Sequence, residues 1–438
     1  MTASFAYRFS LAPNLALFRA EIEHALSFVE RAHGIGRDPS AARVLHYGPE
    51  PPEGALAVPA VLFPGGVRLA EDGIHPVREA LEKLAAGVGP APLFPVRGPA
   101  ASDERFAYDA IGLIALMLTR LEERGSPAND RYGRFPYAAS MAARFHSSAE
   151  PAADQAARDL ALALTGGHAP SATSYEVLVT HDVDRLRGYH RPLTPLREAA
   201  GDLLKRRSPL RASRRLWRAF GGGDPWRSAR RLMARSEARG VPSRFYFMGP
   251  SAASMDSPYA LSMAPLLRRL VGEIQGRGHL IGFHPGFGTA SDAALWTRQK
   301  QGLERIIGLQ VNEGRQHVLG YDAATTPDIW ASNSMVLDLT LAFPEITNFR
   351  AGTCRRFKAY SLTRRTPLAL EQASTALMDF GLFGGKYRDL SPQQALDEAS
   401  HAADICRRFG GAFVVLHHLG SCDAKVDRFF ETVMREVA

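Results

Sequence analysis

Tyr175-Glu176-Val177-Leu178-Val179-Thr180-His181-Asp182-Val183-Asp184 is the stretch on which the fold turns. Val177, Leu178 and Val179 form the short apolar run that a buried strand needs. Along an extended chain alternate side chains share a face, so Asp182 and Asp184 point the same way. Two carboxylates side by side at the carboxyl end of a strand repel each other unless a cation lies between them or one keeps its proton. Such a pair suits a division of labour in which one carboxylate binds a metal and the other takes a proton from water. An Asp-rich turn without chemistry is the alternative.

Downstream the pattern alternates. Strands are expected over 243–248, 279–283, 317–320 and 412–416, and helices over 259–275, 292–307 and 392–409. Ser391 as N-cap and Pro392 at the first helical position mark the start of the last helix. Strands alternating with helices predict an α/β fold with parallel strands, barrel-like or doubly wound, and chemistry at the carboxyl ends of the strands. Three of those ends carry titratable groups: Asp182 with Asp184, then His284, then His417 with His418. A carboxylate with neutral imidazoles on one rim is the natural ligand set for a zinc-like ion that keeps an open position.

Upstream, short β-like runs such as 57–63 precede a strongly apolar helix expected over 106–123, where Ile111, Ile114, Ala115, Leu118 and Leu121 recur at helical spacing. Residues 163–174, rich in Gly, Pro, Ser and Thr, read as a linker. The expected organisation is a smaller α+β amino-terminal domain over 1–170 and an α/β domain over 171–438, which suits a chain of 438 residues. A hydrophobic content of 45% with 22% charged residues excludes a disordered chain. The longest strongly apolar stretch, 110–118, is about half of what a bilayer span needs. Arg8 and Pro13 interrupt the first residues, so no secretory leader is expected. Cys354, Cys406 and Cys422 are too few and too scattered for a disulfide framework or a cysteine zinc site, which points to the cytoplasm.

The net charge of +8 is uneven. Residues 185–239 hold sixteen Arg or Lys against four acids, Glu198, Asp202, Asp224 and Glu237, leaving the rest of the chain net negative. A solvated helical insertion is the first reading of this block. Contact with a membrane-bound substrate through anionic headgroups comes next. Nucleic acid is not expected: Tyr189, Trp217, Phe220 and Trp226 are the block's only aromatics, and no nucleic-acid motif is present.

Taken in order, these residues resemble the polysaccharide deacetylase superfamily, the group with the NodB homology domain. Within it they resemble a bacterial branch whose catalytic domain follows a separate amino-terminal domain. Thr180-His181-Asp182-Val183-Asp184 is similar to the first motif and Ser243-Arg244-Phe245-Tyr246-Phe247 to the second strand. Gly278-His279-Leu280-Ile281-Gly282-Phe283-His284 resembles the histidine motif, and Arg315-Gln316-His317 the arginine motif. Phe413-Val414-Val415-Leu416-His417-His418 resembles the last motif. Asn348-Phe349-Arg350-Ala351-Gly352-Thr353-Cys354 and Tyr132-Gly133-Arg134-Phe135-Pro136, with the helix ending in Leu121-Glu122-Glu123, resemble segments of the branch.

The resemblance implies a distorted (β/α) barrel of the NodB type that hydrolyses the N-acetyl group of an amino sugar with a divalent metal, zinc being the expected one. It implies Asp184 and His284 as metal ligands, Asp182 as general base, and Arg315 holding Asp182 ionised and oriented. It implies His418 as the general acid for the departing amine. Strand neighbours face opposite ways, so only one of His417 and His418 turns inward; the motif favours His418 and leaves His417 open. The pattern departs at Gly288, four residues after His284, where the family has its second metal-binding histidine. His317 is the preferred substitute, on a strand expected to reach the same rim, whereas His279 should face away. Asp379 reads as an ordinary turn carboxylate ahead of an acid–histidine pair with His418.

The expected function is cytoplasmic, metal-dependent deacetylation of an amino sugar or glycan precursor, lipid-linked or free. Two other classes stay open. One is a non-catalytic carbohydrate-binding relative that has lost the metal, which Gly288 favours. The other is a membrane-surface or nucleic-acid-binding protein built on the basic block 185–239.

Overall fold

The computed structural model describes residues 5–95, 99–102, 104–145, 150–168, 174–187, 193–220, 225–257, 259–383, 385–419 and 424–437. Part of the expected linker and Cys422 lie outside these. The chain forms two compact units, 1–176 with 319–376 and 401–413, and 177–318 with 377–400 and 414–438. By contact, therefore, the division is not a single cut near residue 170.

In the first unit, four strands lie in the order Ile35–Arg37, Phe5–Leu11, Val44–Tyr47 and Leu56–Val58. All pair in parallel. Helix Arg19–His33 returns the chain between the first two, and Gly34 at φ +63° ends it. The run expected over 57–63 stops as a strand at Val58 because Pro59 and Pro64 cannot donate to a ladder; a single wide turn, Leu62–Gly66, follows. The apolar helix is Ala110–Thr119, every residue of it buried. It starts at 110 because Asp109 caps it, accepting from the Gly112 amide at 2.7 Å. The same carboxylate accepts from Tyr47 Oη at 2.9 Å and from the amides of Val61 and Leu62, each at 2.9 Å. Arg120 at φ +53° ends the helix, and its guanidinium and that of Arg350 both reach Glu123 in the interior.

The second unit carries the alternation read from the sequence. Its strands run in the order Glu313–Gly314, Leu280–Phe283, Ser243–Phe247, Glu176–Val183, Ala412–Leu416 and Thr375–Met378. The first four pair in parallel, with Gly314 opposite Phe283, Phe283 opposite Phe247, and Phe247 opposite Val183. His417 N donates to Thr180 O and Leu419 N to Asp182 O, both at 3.0 Å, with the two numbers rising together as parallel pairing requires. Helices Pro225–Glu237, Ala264–Gly276 and Ala293–Ile307 connect successive strands. This is an α/β fold whose carboxyl strand ends share one rim.

Two details differ from expectation. The segment 317–320 is not a strand: His317–Leu319 is a tight helical turn with Val318 at φ 54° and Leu319 at φ 59°. A β-branched residue in the left-handed region cannot continue a strand, so the chain bends at the rim. The helix expected over 259–275 is two pieces, Tyr259–Ser262 and Ala264–Gly276, with Pro265 placed in the first turn of the second. The basic block is helical as expected, in the three helices Leu193–Leu204, Pro209–Phe220 and Pro225–Glu237.

Asp109 satisfies four donors where water cannot reach. Asp109→Ala should lower the unfolding free energy by about 3 kcal/mol or more, against about 1 kcal/mol for Tyr47→Phe. Urea midpoints of the two variants check this, and equal midpoints would remove Asp109 as the anchor of the first unit.

Candidate active site

All the residues singled out at the strand ends lie in the second unit. Asp182 and Asp184 leave the strand Glu176–Val183 on one face, as period two requires. Asp182 is buried, and its Oδ1 accepts from Arg315 Nη1 at 2.8 Å. Arg315 is fully buried and its guanidinium lies 5.5 Å from the centre of the Tyr246 ring. Its backbone carbonyl accepts from His284 Nδ1 at 2.6 Å. That bond aims the other ring nitrogen, Nε2, at Asp184 Oδ1, 3.3 Å away.

His317 stands beside this pair, its ring centre 5.1 Å from that of His284. Asp184, His284 and His317 each present a ligand atom within 4.8 Å of the other two. Gly288, which has φ +85° and open space around it, takes no part. His317 Nδ1 is fixed by Asp256 Oδ1 at 2.7 Å. Asp256 is itself held by Ser251 Oγ at 2.5 Å and by the Phe287 amide at 2.9 Å. Any side chain at Gly286 would run into its Oδ2, which explains a glycine there.

These residues fit a divalent ion. Asp184 Oδ1 and His284 Nε2 are buried and, apart from facing each other at 3.3 Å, have no partner, although buried polar atoms are seldom left so. Both imidazoles have their Nδ1 proton engaged by an oxygen, which leaves Nε2 with its lone pair, the usual outer bonding of metal-binding histidines. One carboxylate and two imidazoles match a zinc-like ion with an open position. The electrostatics agree. Burial pushes the Asp184 carboxyl up, yet His284, His418 and His317 together hold it well below the usual range. Burial likewise depresses His284, but Asp182 and Asp184 raise it on balance. The cluster favours positive charge at its centre.

The adjacent histidines divide as alternation demands. His418 Nδ1 donates to Asp379 Oδ1 at 2.6 Å, its amide donates to Asp379 Oδ2 at 2.9 Å, and Phe380 stacks on it at 4.3 Å. Burial alone would lower the imidazole; Asp379, with help from Asp184 and Asp182, carries it up to about 9. Asp379 is therefore no ordinary turn carboxylate but the partner of His418. His417 points the other way, stacked on Phe430 at 4.3 Å, and burial lowers its pKa. His181 and His279 are also on that far side. His181 donates to the His417 carbonyl at 2.8 Å, and His279 Nδ1 accepts from the Ser243 amide at 2.9 Å.

Sequence reasoning missed Asp256. The signal available was an acid in the loop following the strand Ser243–Phe247, a rim position by the same rule that found the others.

A family of unknown function, DUF7033, matches residues 20–167. No curated protein matches the chain. Among solved structures, a protein from Mycobacterium smegmatis, provisionally named a polysaccharide deacetylase, is 19% identical over 61% of this chain and 85% of its own, with a TM-score of 0.41. A mutant of a CE4 family pseudoenzyme with restored enzymatic activity is 10% identical over 62% of this chain and 68% of its own, at 0.31. The polysaccharide deacetylase Bc1974 from Bacillus cereus is 10% identical over 60% and 86%, at 0.30. None of these assigns a role to a residue here; the roles rest on the site's own geometry.

Asp256 touches no open position, so its effect must pass through His317. Asp256→Ala should weaken zinc binding about 10–100-fold in a chelator competition, with Asp256→Asn falling between it and the wild type. Unchanged affinity in the alanine variant would exclude a positioning role.

Proposed function

We propose that the chain is a metal-dependent hydrolase of the polysaccharide deacetylase kind, removing the N-acetyl group from an amino sugar or glycan precursor. The observation that carries this reading is the meeting of Asp184, His284 and His317 beside an Arg315-bound Asp182 and an Asp379-bound His418. The sequence motifs support the substrate class. The buried free thiols Cys354 and Cys406 accord with a cytoplasmic setting, which is part of the proposal.

A divalent ion held by Asp184, His284 and His317 would polarise the amide carbonyl and offset the charge that develops on its oxygen. Asp182 is the base. With Oδ1 tied to Arg315, its Oδ2 is the atom that takes a proton from the attacking water. An amide nitrogen leaves only after gaining a proton, and His418 gives it. Asp379 occupies Nδ1 of His418 and so turns Nε2 towards the substrate, while Phe380 fixes the tilt of the ring. The raised pKa keeps His418 protonated at neutral pH, the form an acid needs.

Gly288 favours the alternative of a binding protein without catalysis. Against it stands His317, oriented by Asp256 and with a ligand atom within 4.8 Å of those of Asp184 and His284.

Acetate release from N-acetyl sugars, nucleotide sugars and lipid-linked glycans, with and without zinc or cobalt, tests the proposal. Asp182→Asn should lower kcat by about 100-fold or more with KM little changed. Asp379→Asn removes the charge that raises His418, so the alkaline limb of the pH–rate profile should move to lower pH. Metal binding without acetate release from any of these substrates would leave a binding protein in its place.

A further inference from the structure

The helices Leu193–Leu204 and Pro209–Phe220 pack on each other as a hairpin. On the first of them Pro195, Ala199 and Asp202 are buried and share one face at helical spacing. Leu196 and Leu203, seven residues apart, share another, and they are 48% and 47% exposed. At the bend the exposure rises, to 81% for Leu204 and 60% for Leu210. Around these leucines stand Lys205, Arg206, Arg207 and Arg211, all exposed. Arg206 pairs with Asp202 at 2.6 Å, whereas Lys205, Arg207 and Arg211 have no carboxylate partner among the described residues.

A helix face that served only to keep the protein in solution would carry the charges and not the leucines, because each exposed leucine holds apolar surface in water. Nucleic acid would use the charges but gains nothing from leucine, which neither stacks on a base nor donates a hydrogen bond. An anionic bilayer uses both. Leucines at the bend enter beneath the headgroups, while the long basic side chains lie along the surface with their charged ends at the lipid phosphates. No described helix is long and apolar enough to cross a membrane, so the contact is one of docking rather than spanning.

We propose that the tip of this hairpin, with Leu203, Leu204 and Leu210 set among Lys205, Arg206, Arg207 and Arg211, docks the protein on an anionic lipid bilayer. The surface lies outside the catalytic machinery and does not depend on the proposed reaction.

Flotation of the full chain with vesicles of phosphatidylcholine alone, or of phosphatidylcholine and phosphatidylglycerol, tests it. Binding should need the anionic lipid and weaken at high salt. Leu204→Glu with Leu210→Glu should reduce binding about 10-fold or more, and so should Lys205→Glu with Arg207→Glu and Arg211→Glu. All these positions are exposed, so circular dichroism and the thermal midpoint should match the wild type. A leucine variant that floats as well as the wild type overturns the proposal, as does indifference to lipid charge. Binding to duplex DNA that only the charge variant abolishes, with no vesicle binding, would make the tip a nucleic-acid surface instead.

Discussion

The ion pair between Asp182 and Arg315 is the contact on which the site depends, because Arg315 uses its backbone and its side chain at the same time. Its amide donates to Phe283 O at 3.2 Å and its carbonyl accepts from His284 Nδ1, while its guanidinium holds Asp182. One residue thereby ties together the ends of three strands and orients both a carboxylate and an imidazole. A charge buried this deeply tolerates no loss of its partner; stranding either member costs about 3–5 kcal/mol. Two residues further on, the turn that Arg315 anchors delivers His317 to the same place.

Alternation along the strands sorts the histidines. His181, His279 and His417 fall on the face away from the rim: His181 and His279 bond to groups of neighbouring strands, and His417 Nε2 lies 3.9 Å from Asp427 on the helix Ala424–Val437. Burial holds His181 down to about 3, so it is neutral and serves as a polar spacer. His284 and His418 fall on the other face, each with one nitrogen fixed and one turned to the opening. These five histidines look alike in the sequence; only the face on which each emerges separates structure from chemistry.

The same contrast separates the two units. In the first, Asp109 and Glu123 are buried carboxylates with every oxygen answered, by amides, a tyrosine and guanidinium groups. Such groups make a core unique and have nothing left to offer a ligand. In the second unit the buried atoms Asp184 Oδ1 and His284 Nε2 face each other at 3.3 Å and have no other partner. With no further partner, that pair together with His317 offers ligand atoms that a cation could share.

Much of the second unit was legible in the chain by itself. Apolar runs bounded by glycines and prolines marked the strands near 177, 245, 281 and 414, and the residues at their ends named Asp182, Asp184, His284 and His418. Strand periodicity is local, so it survives in the sequence, and parallel pairing follows from the helices between strands. The amino-terminal parallel sheet was not legible: Ile35–Arg37 and Leu56–Val58 are three residues long, and Phe5–Leu11 buries only Tyr7, so no continuous apolar run or clean alternation marks them. What only the tertiary structure decided was which distant side chains touch. Asp256 and His317 are 61 residues apart, and Asp379 and His418 are 39 apart. Their pairing depends on how loops close over the rim, and loop closure is set by packing from the whole unit and not by any local run of residues.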